Sequence, residues 1–286
     1  MFDVIGRGTK AEIGKSERWF RPRSARCSEA LARLVVAILL LLIDFVSAYA
    51  GRPLTIDDVA PVPPGQLEIE LGFYHGLPSA GGRDQKWPVA AVTYDVLDRL
   101  ELGLAIQRAD QVGPRTAPIK GFEDLHINAK YKFFDEAAGF PALAAALDVK
   151  LPTENRSKGL STGKADQTLL LIATKSLAPL AVHANLGYTI VGNAAGANLK
   201  NLVRGGMAME WPFIPRWSFV GEVTGTSRAA RAEPNQADFQ LGFRYALQPT
   251  LVLDFAAGRS LGTSGTTVQG TFGLTWTIDI KSILKR

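Results

Sequence analysis

The 286-residue chain has a single cysteine, Cys27, and only three histidines. One cysteine excludes an internal disulfide framework and any zinc site built from cysteine pairs. Three histidines leave little material for a histidine-rich metal site. Long apolar runs are scarce as well. The run Leu34–Ile43 spans ten residues, against about 20 for a helix that crosses a bilayer. A polytopic helical membrane protein is therefore excluded. Charged residues make up 21% of the chain, which excludes a disordered or acidic-tail character. No phosphate loop, dinucleotide fingerprint, metal cluster or G-x-S-x-G nucleophile context is present, so no cofactor is implied.

What is present begins with a targeting segment. Residues 1–33 are basic, the ten-residue apolar run follows, Asp44 interrupts it, and Ala48-Tyr49-Ala50 supplies an A-x-A pattern. A basic region, a short apolar core and a small-residue site read as a secretory signal peptide, residues 1–50, cleaved after Ala50. An uncleaved inner-membrane anchor is the alternative. Cys27 precedes the apolar run, so it is not a lipoprotein cysteine.

The leader also explains the charge. It holds eight of the 32 Lys/Arg and five of the 27 acids, leaving 24 and 22 and a net charge of +2 in place of +5. The basic character belongs mostly to the leader, and a nucleic-acid partner loses its support.

From residue 65 onward the pattern is period-2 alternation. In 124–133, Leu125, Ile127, Ala129, Tyr131 and Phe133 share one face, and Asp124, His126, Asn128, Lys130 and Lys132 share the other. Such a strand has one face for an apolar solvent and one for water. The same alternation recurs in 67–74, 100–107, 143–151, 180–190, 237–247 and 268–278, and more weakly near 87–96, 165–176, 199–211, 217–227 and 251–260. The expected total is twelve strands. Short connections (Leu97-Asp98, Asp135 to Gly139, Ala178-Pro179, Pro212 to Arg216, Gln248-Pro249) interleave with longer ones (76–86, 108–120, 152–164, 192–198, 228–236, 261–266). The expected fold is all-β: a transmembrane antiparallel up-and-down β-barrel of about 12 strands over 65–279, with a C-terminal tail at 280–286. The expected location is the outer membrane of a Gram-negative cell. Phe133, Trp211, Trp217, Tyr245 and Trp276 would form an aromatic girdle on the short-turn side. The stretch Thr271 to Ile278 is similar to the C-terminal signal read by the barrel assembly machinery, although Asp279 to Arg286 extend beyond it.

Two further segments carry a family resemblance: Arg52 to Asp58 leading to Pro64-Gly65-Gln66-Leu67-Glu68-Ile69-Glu70, and Lys150-Leu151-Pro152-Thr153 leading through Gly159 and Gly163 to Asp166. With Tyr131-Lys132-Phe133 and Gly273-Leu274-Thr275-Trp276, the chain over roughly residues 51–278 resembles the outer-membrane family named for the meta-pathway of phenol degradation. Glu154 stands where glycine is expected after Pro-Thr. The resemblance implies a barrel that passes small, aromatic or hydrophobic solutes.

Alternation assigns an inward set: Glu68, Glu70, Glu101, Asp124, His126, Lys130, Lys132, Asp148, Lys150, His183, Arg204, Glu210, Glu222, Asp238, Arg244 and Asp254. These mixed charges either line a polar channel or pair across neighbouring strands in a hydrated interior. Two other classes stay open. One is a purely structural barrel. The other is a lipid-modifying enzyme, for which His75 is the histidine near a strand end. Pro53, Pro61, Pro63 and Pro64 keep 51–64 out of regular structure. That segment either hangs in the periplasm or folds into the lumen as a plug. The expected partners are outer-membrane lipids, the assembly machinery and small-molecule solutes.

Overall fold

The computed structural model describes residues 51–78, 81–115, 117–154, 160–193, 198–230, 234–261 and 268–280. The leader 1–50 and the tail 281–286 lie outside the described residues.

Thirteen strands are found among the described residues: β1 (Gln66–Leu77), β2 (Arg83–Leu97), β3 (Leu100–Val112), β4 (Ile119–Phe122), β5 (Leu125–Phe134), β6 (Ala142–Leu151), β7 (Asp166–Leu177), β8 (Leu180–Ile190), β9 (Leu202–Ile214), β10 (Trp217–Thr226), β11 (Gln236–Gln248), β12 (Leu251–Ser260) and β13 (Val268–Asp279). Every pairing is antiparallel, and each stave pairs with its sequence neighbours. β1 meets β13 from Gln66↔Asp279 to Leu77↔Val268, which closes the sheet on itself. Closure removes the unpaired edges that an open sheet would carry.

The expected twelve staves are present, with one extra piece. β4 pairs with the upper part of β3 (Arg108↔Phe122 to Gln111↔Ile119), and β5 pairs with the lower part (Leu100↔Tyr131 to Ala105↔His126). Glu123 and Asp124 lie between them, and Glu123 N donates to Gln107 O at 2.8 Å. β4 and β5 are thus one stave broken by a kink. The expected long loop 108–120 is shortened, because β3 runs on to Val112 and β4 starts at Ile119.

A second irregularity sits in β2. Its register skips between Lys86 and Val89 against both neighbours, leaving Trp87 and Pro88 as a bulge. Proline has no N–H to give to a ladder, so the ladder breaks there.

Alternation decides which way each residue points. In β8, His183, Asn185 and Thr189 are buried, whereas Leu186, Tyr188 and Ile190 are about half exposed. In β7, Thr168, Leu170 and Ile172 are buried, and Leu169 and Leu171 are exposed. The outward face is leucine- and aromatic-rich all round the barrel, a surface suited to lipid rather than water. The aromatics expected near the short turns do sit there: Trp217 stacks on Tyr245 at 4.7 Å, and Phe133, Trp211 and Trp276 are exposed. The short turns are stapled by ion pairs. Asp135 bonds Arg99 (2.5 Å) and Lys132 (2.8 Å), and Lys175 bonds Glu136 (2.9 Å). These hydrogen bonds hold both turn carboxyls below their ordinary range.

Candidate functional site

Residues 51–64 form no strand, yet Pro53, Ile56, Asp58, Val59 and Val62 are buried. Four prolines remove backbone donors and fix φ, so the segment cannot join the sheet. Its remaining N–H and C=O groups must find side-chain partners. Most find them on the inward faces of seven staves, and the Arg52 side chain reaches two more. One short segment can reach nine staves of a closed barrel only from within, so it occupies the lumen.

The first contacts are made by Arg52. Its N–H donates to Glu70 Oε1 of β1 (3.0 Å). Its guanidinium donates to Thr271 Oγ1 (2.7 Å) and Phe272 O (3.0 Å) of β13, and pairs with Asp254 of β12 at 3.4 Å. Arg244 of β11 donates to Arg52 O (2.8 Å) and Gly51 O (2.5 Å), and it pairs with Glu210 of β9 (2.5 Å). Gln240 Nε2 donates to Pro53 O at 2.7 Å.

Glu222 of β10 is the most heavily engaged acceptor. Its carboxylate takes Thr55 N (2.8 Å), Ile56 N (2.9 Å), Thr55 Oγ1 (2.8 Å) and Gln240 Nε2 (2.7 Å). Asn185 of β8 clamps Asp57 at both backbone groups, accepting from its N (2.8 Å) and donating to its O (2.9 Å). Val59 N donates to Thr174 Oγ1 of β7 at 3.2 Å, and that hydroxyl meets His183 Nδ1 at 3.0 Å. Lys130 of β5 donates to Ala60 O (3.1 Å) and pairs with Glu101 of β3 (3.0 Å) and Asp58 (4.0 Å). Glu101 also accepts Val62 N at 2.7 Å.

The lumen contacts include an apolar patch. Val59 packs with Ala142 and Ala144 of β6 and with Leu170 and Ile172 of β7. It places a valine on an oily stripe in an otherwise polar interior. Burial pushes the Asp57 carboxyl up to about 6; Lys130 opposes the rise, and Asp58, Glu101 and Glu70 add to it.

The inward set divides by what it touches. Glu70, Glu101, Lys130, Glu222, Arg244 and Asp254 hold the N-terminal segment directly, and His183 does so through Thr174. Another group pairs towards the long-loop end. His126 meets Asp148 at 2.9 Å, Lys150 bridges Asp124 (3.6 Å) and Asp166 (2.7 Å), and Asp238 accepts from Ser260 (2.5 Å). Arg204 is exposed near that end, opposite Thr226. Lys132 lies at the short-turn rim on Asp135. Glu68 lies two residues below Glu70 on the same face, without a hydrogen bond or ion pair among the described residues. His75 is paired with the Gln85 amide at 3.0 Å.

Sequence reasoning missed Arg52, Thr55, Thr174, Asn185, Gln240 and the inward Leu170 and Ile172. The run Leu169 to Ile172, apolar on both faces, was the available sign of an oily inward patch. The neutral clamps carried no sign, since an amide or hydroxyl on a polar face is ordinary.

The family model described as "Putative MetA-pathway of phenol degradation" matches residues 50–278, and the chain belongs to that family. No curated protein matches the sequence. Among solved structures, the chain is similar to the COG4313 outer membrane channel from Pseudomonas putida F1, with 15% identity and a TM-score of 0.60 over 77% of this chain and 98% of that one. It is also similar to the NanC porin, with 8% identity and a TM-score of 0.51 over 72% and 98%. At these identities the likeness is one of fold.

Proposed function

We propose that the chain is an outer-membrane channel for small solutes whose lumen is gated by its own residues 51–64. The observation that carries this reading is how the segment is held. It contributes no strand, and most of its backbone bonds go to side chains of the wall. Such bonds can be exchanged for water one at a time without opening a barrel ladder. A segment built only to strengthen the barrel would be served better by strand pairing.

The solute class we propose is small, aromatic or hydrophobic. Membership of the family supports it, as does the stripe of Ala142, Ala144, Leu170 and Ile172 that Val59 covers. Displacing Val59 would bare an apolar surface in a polar bore. Export through a signal cleaved after Ala50 and insertion by the assembly machinery belong to the same reading.

Liposome swelling with the purified full chain tests it. Small phenolic solutes should enter faster than sugars of equal size. Absence of any solute entry while the barrel stays heat-modifiable on a gel would sink the channel reading.

A further inference from the structure

Conduction through the lumen makes no use of the outer wall at the Trp87–Pro88 bulge. The broken ladder leaves a cavity of about 420 Å³ there, lined by Phe73, Gln85, Trp87, Arg108, Asp110 and Phe272. Phe73, Phe272 and Arg108 are outward by alternation, and Trp87 is 53% exposed. The cavity therefore opens away from the lumen. It lies at the long-loop end of the staves, the outer end in a barrel with short inner turns.

Its polar chemistry is lopsided. Asp110 is already held by Lys120 (2.8 Å) and Arg83 (3.7 Å). Arg108 makes no hydrogen bond or ion pair among the described residues, although it is only partly exposed. Three cations thus face one carboxylate. Arg108 acts on Asp110 only at a distance; a guanidinium beside aromatic rings with no direct anionic contact is costly, and an anion relieves the cost.

The floor of the cavity continues as an aromatic row. Trp211, Phe219, Phe243, Phe255, Phe272 and Phe73 are directly opposed across six consecutive staves, β9 to β13 and then β1. Ring centroids lie 5.4 Å apart for Phe219–Phe243, 5.3 Å for Phe243–Phe255 and 5.2 Å for Phe73–Phe272. Paired rows run oblique to the axis in a tilted barrel. This row climbs from the short turn beside Trp211 to the bulge.

We propose that the bulge is a binding site for a phosphorylated lipid of the outer leaflet, with its phosphate on Arg108 and its apolar part along Phe73, Trp87 and Phe272. A planar guanidinium fork matches two phosphate oxygens. Rings at the membrane interface match the adjoining acyl region. The membrane-facing mouth of the cavity selects a lipid over a solute from water. The site rests on the outer-membrane location and not on conduction.

Native mass spectrometry of the full chain in mild detergent, with lipid A and its dephosphorylated form as probes, tests the proposal. Wild type should retain lipid A and release the dephosphorylated form. Arg108→Ala should lower retention about tenfold or more, the weight of a charge-assisted bond. Arg108→Lys should fall between, because it keeps the charge and loses the fork. Arg216→Ala, on a short turn at the opposite end, should behave as wild type. Heat-modifiable migration shows that each variant is folded, and bilayer current is read separately. Equal retention of both probes, unchanged retention by Arg108→Ala, or a dimer that shields residue 87 would overturn the site.

Discussion

At the scale of single residues, the N-terminal segment hangs on a few charged acceptors. Glu222 alone takes three bonds from it. Bonds to a charged acceptor contribute about 1.5–3 kcal/mol each in isolation, and less in a wet lumen. Glu222→Ala should cost the plugged state about 3 kcal/mol in total, a shift of about 100-fold towards the open state. Single-channel open probability reads it, and Glu222→Gln, which keeps an acceptor, should shift less. Asp57 adds a pH dependence. Its carboxyl is raised to about 6 in the lumen from an ordinary 3.8. The inserted segment therefore binds the proton more tightly than the released one does. The resulting stabilisation is fully present below 3.8 and lost as pH rises through about 6. Conductance should climb about tenfold or more between pH 4 and 7, since each pKa unit is tenfold. Asp57→Asn should flatten that rise; an unchanged profile in the variant would assign the titration elsewhere.

At the scale of elements, the strands make room for the segment as well as binding it. On β1, Gly72 faces the Arg52 guanidinium so closely that a Cβ there would overlap it, and the three nearest atoms it would meet all belong to that flexible side chain. Gly72→Ala should therefore leave the barrel folded and expel the guanidinium, with loss of its bonds to Thr271, Phe272 and Asp254. Single-channel open probability should then rise above that of wild type, with heat-modifiable migration unchanged. The strands themselves were legible because each stave separates two solvents. A period of 2 is then imposed on nearly every residue, as in 180–190, whose expected and observed limits agree. Legibility failed where something other than the two solvents decides. β4 is an extension above the point where its stave stops pairing with β6, and the 108–120 stretch has no alternation to show it. The β2 bulge needs Pro88 to be seen as a ladder-breaker inside a strand. The inward Leu170 and Ile172 break the polar-in rule because Val59, and not water, is their neighbour. The holding side chains were half legible: the charged ones followed from alternation, but their common partner lies more than 100 residues away from most of them and has no period of its own.

At the scale of the whole molecule, the barrel and its plug are held by different forces. The barrel is twelve staves in antiparallel ladders closed on themselves, with local breaks at the β2 bulge and the β4–β5 kink. The segment 51–64 is a covalently attached ligand of that barrel, bound through side chains and one small apolar patch. A ligand that binds only the folded state stabilises it by mass action and is not required for folding. A chain lacking 51–64 behind an intact leader should still migrate as a heat-modifiable barrel, with a lower melting temperature and a larger, steadier conductance. The same argument makes the plug separable. A free peptide with the sequence of residues 51–64 should block the shortened channel when added from one side. Asp57→Asn in that peptide should strengthen the block at pH 7 relative to the native peptide and change it little at pH 4, because only the native carboxyl carries the cost of burial as it ionises. Titrating peptide against single-channel current reads both outcomes. A shortened chain that no longer forms a barrel would show that the segment is part of the folding core. A folded shortened channel that the peptide leaves conducting would show that attachment, and not complementarity to the lumen, holds the segment in place.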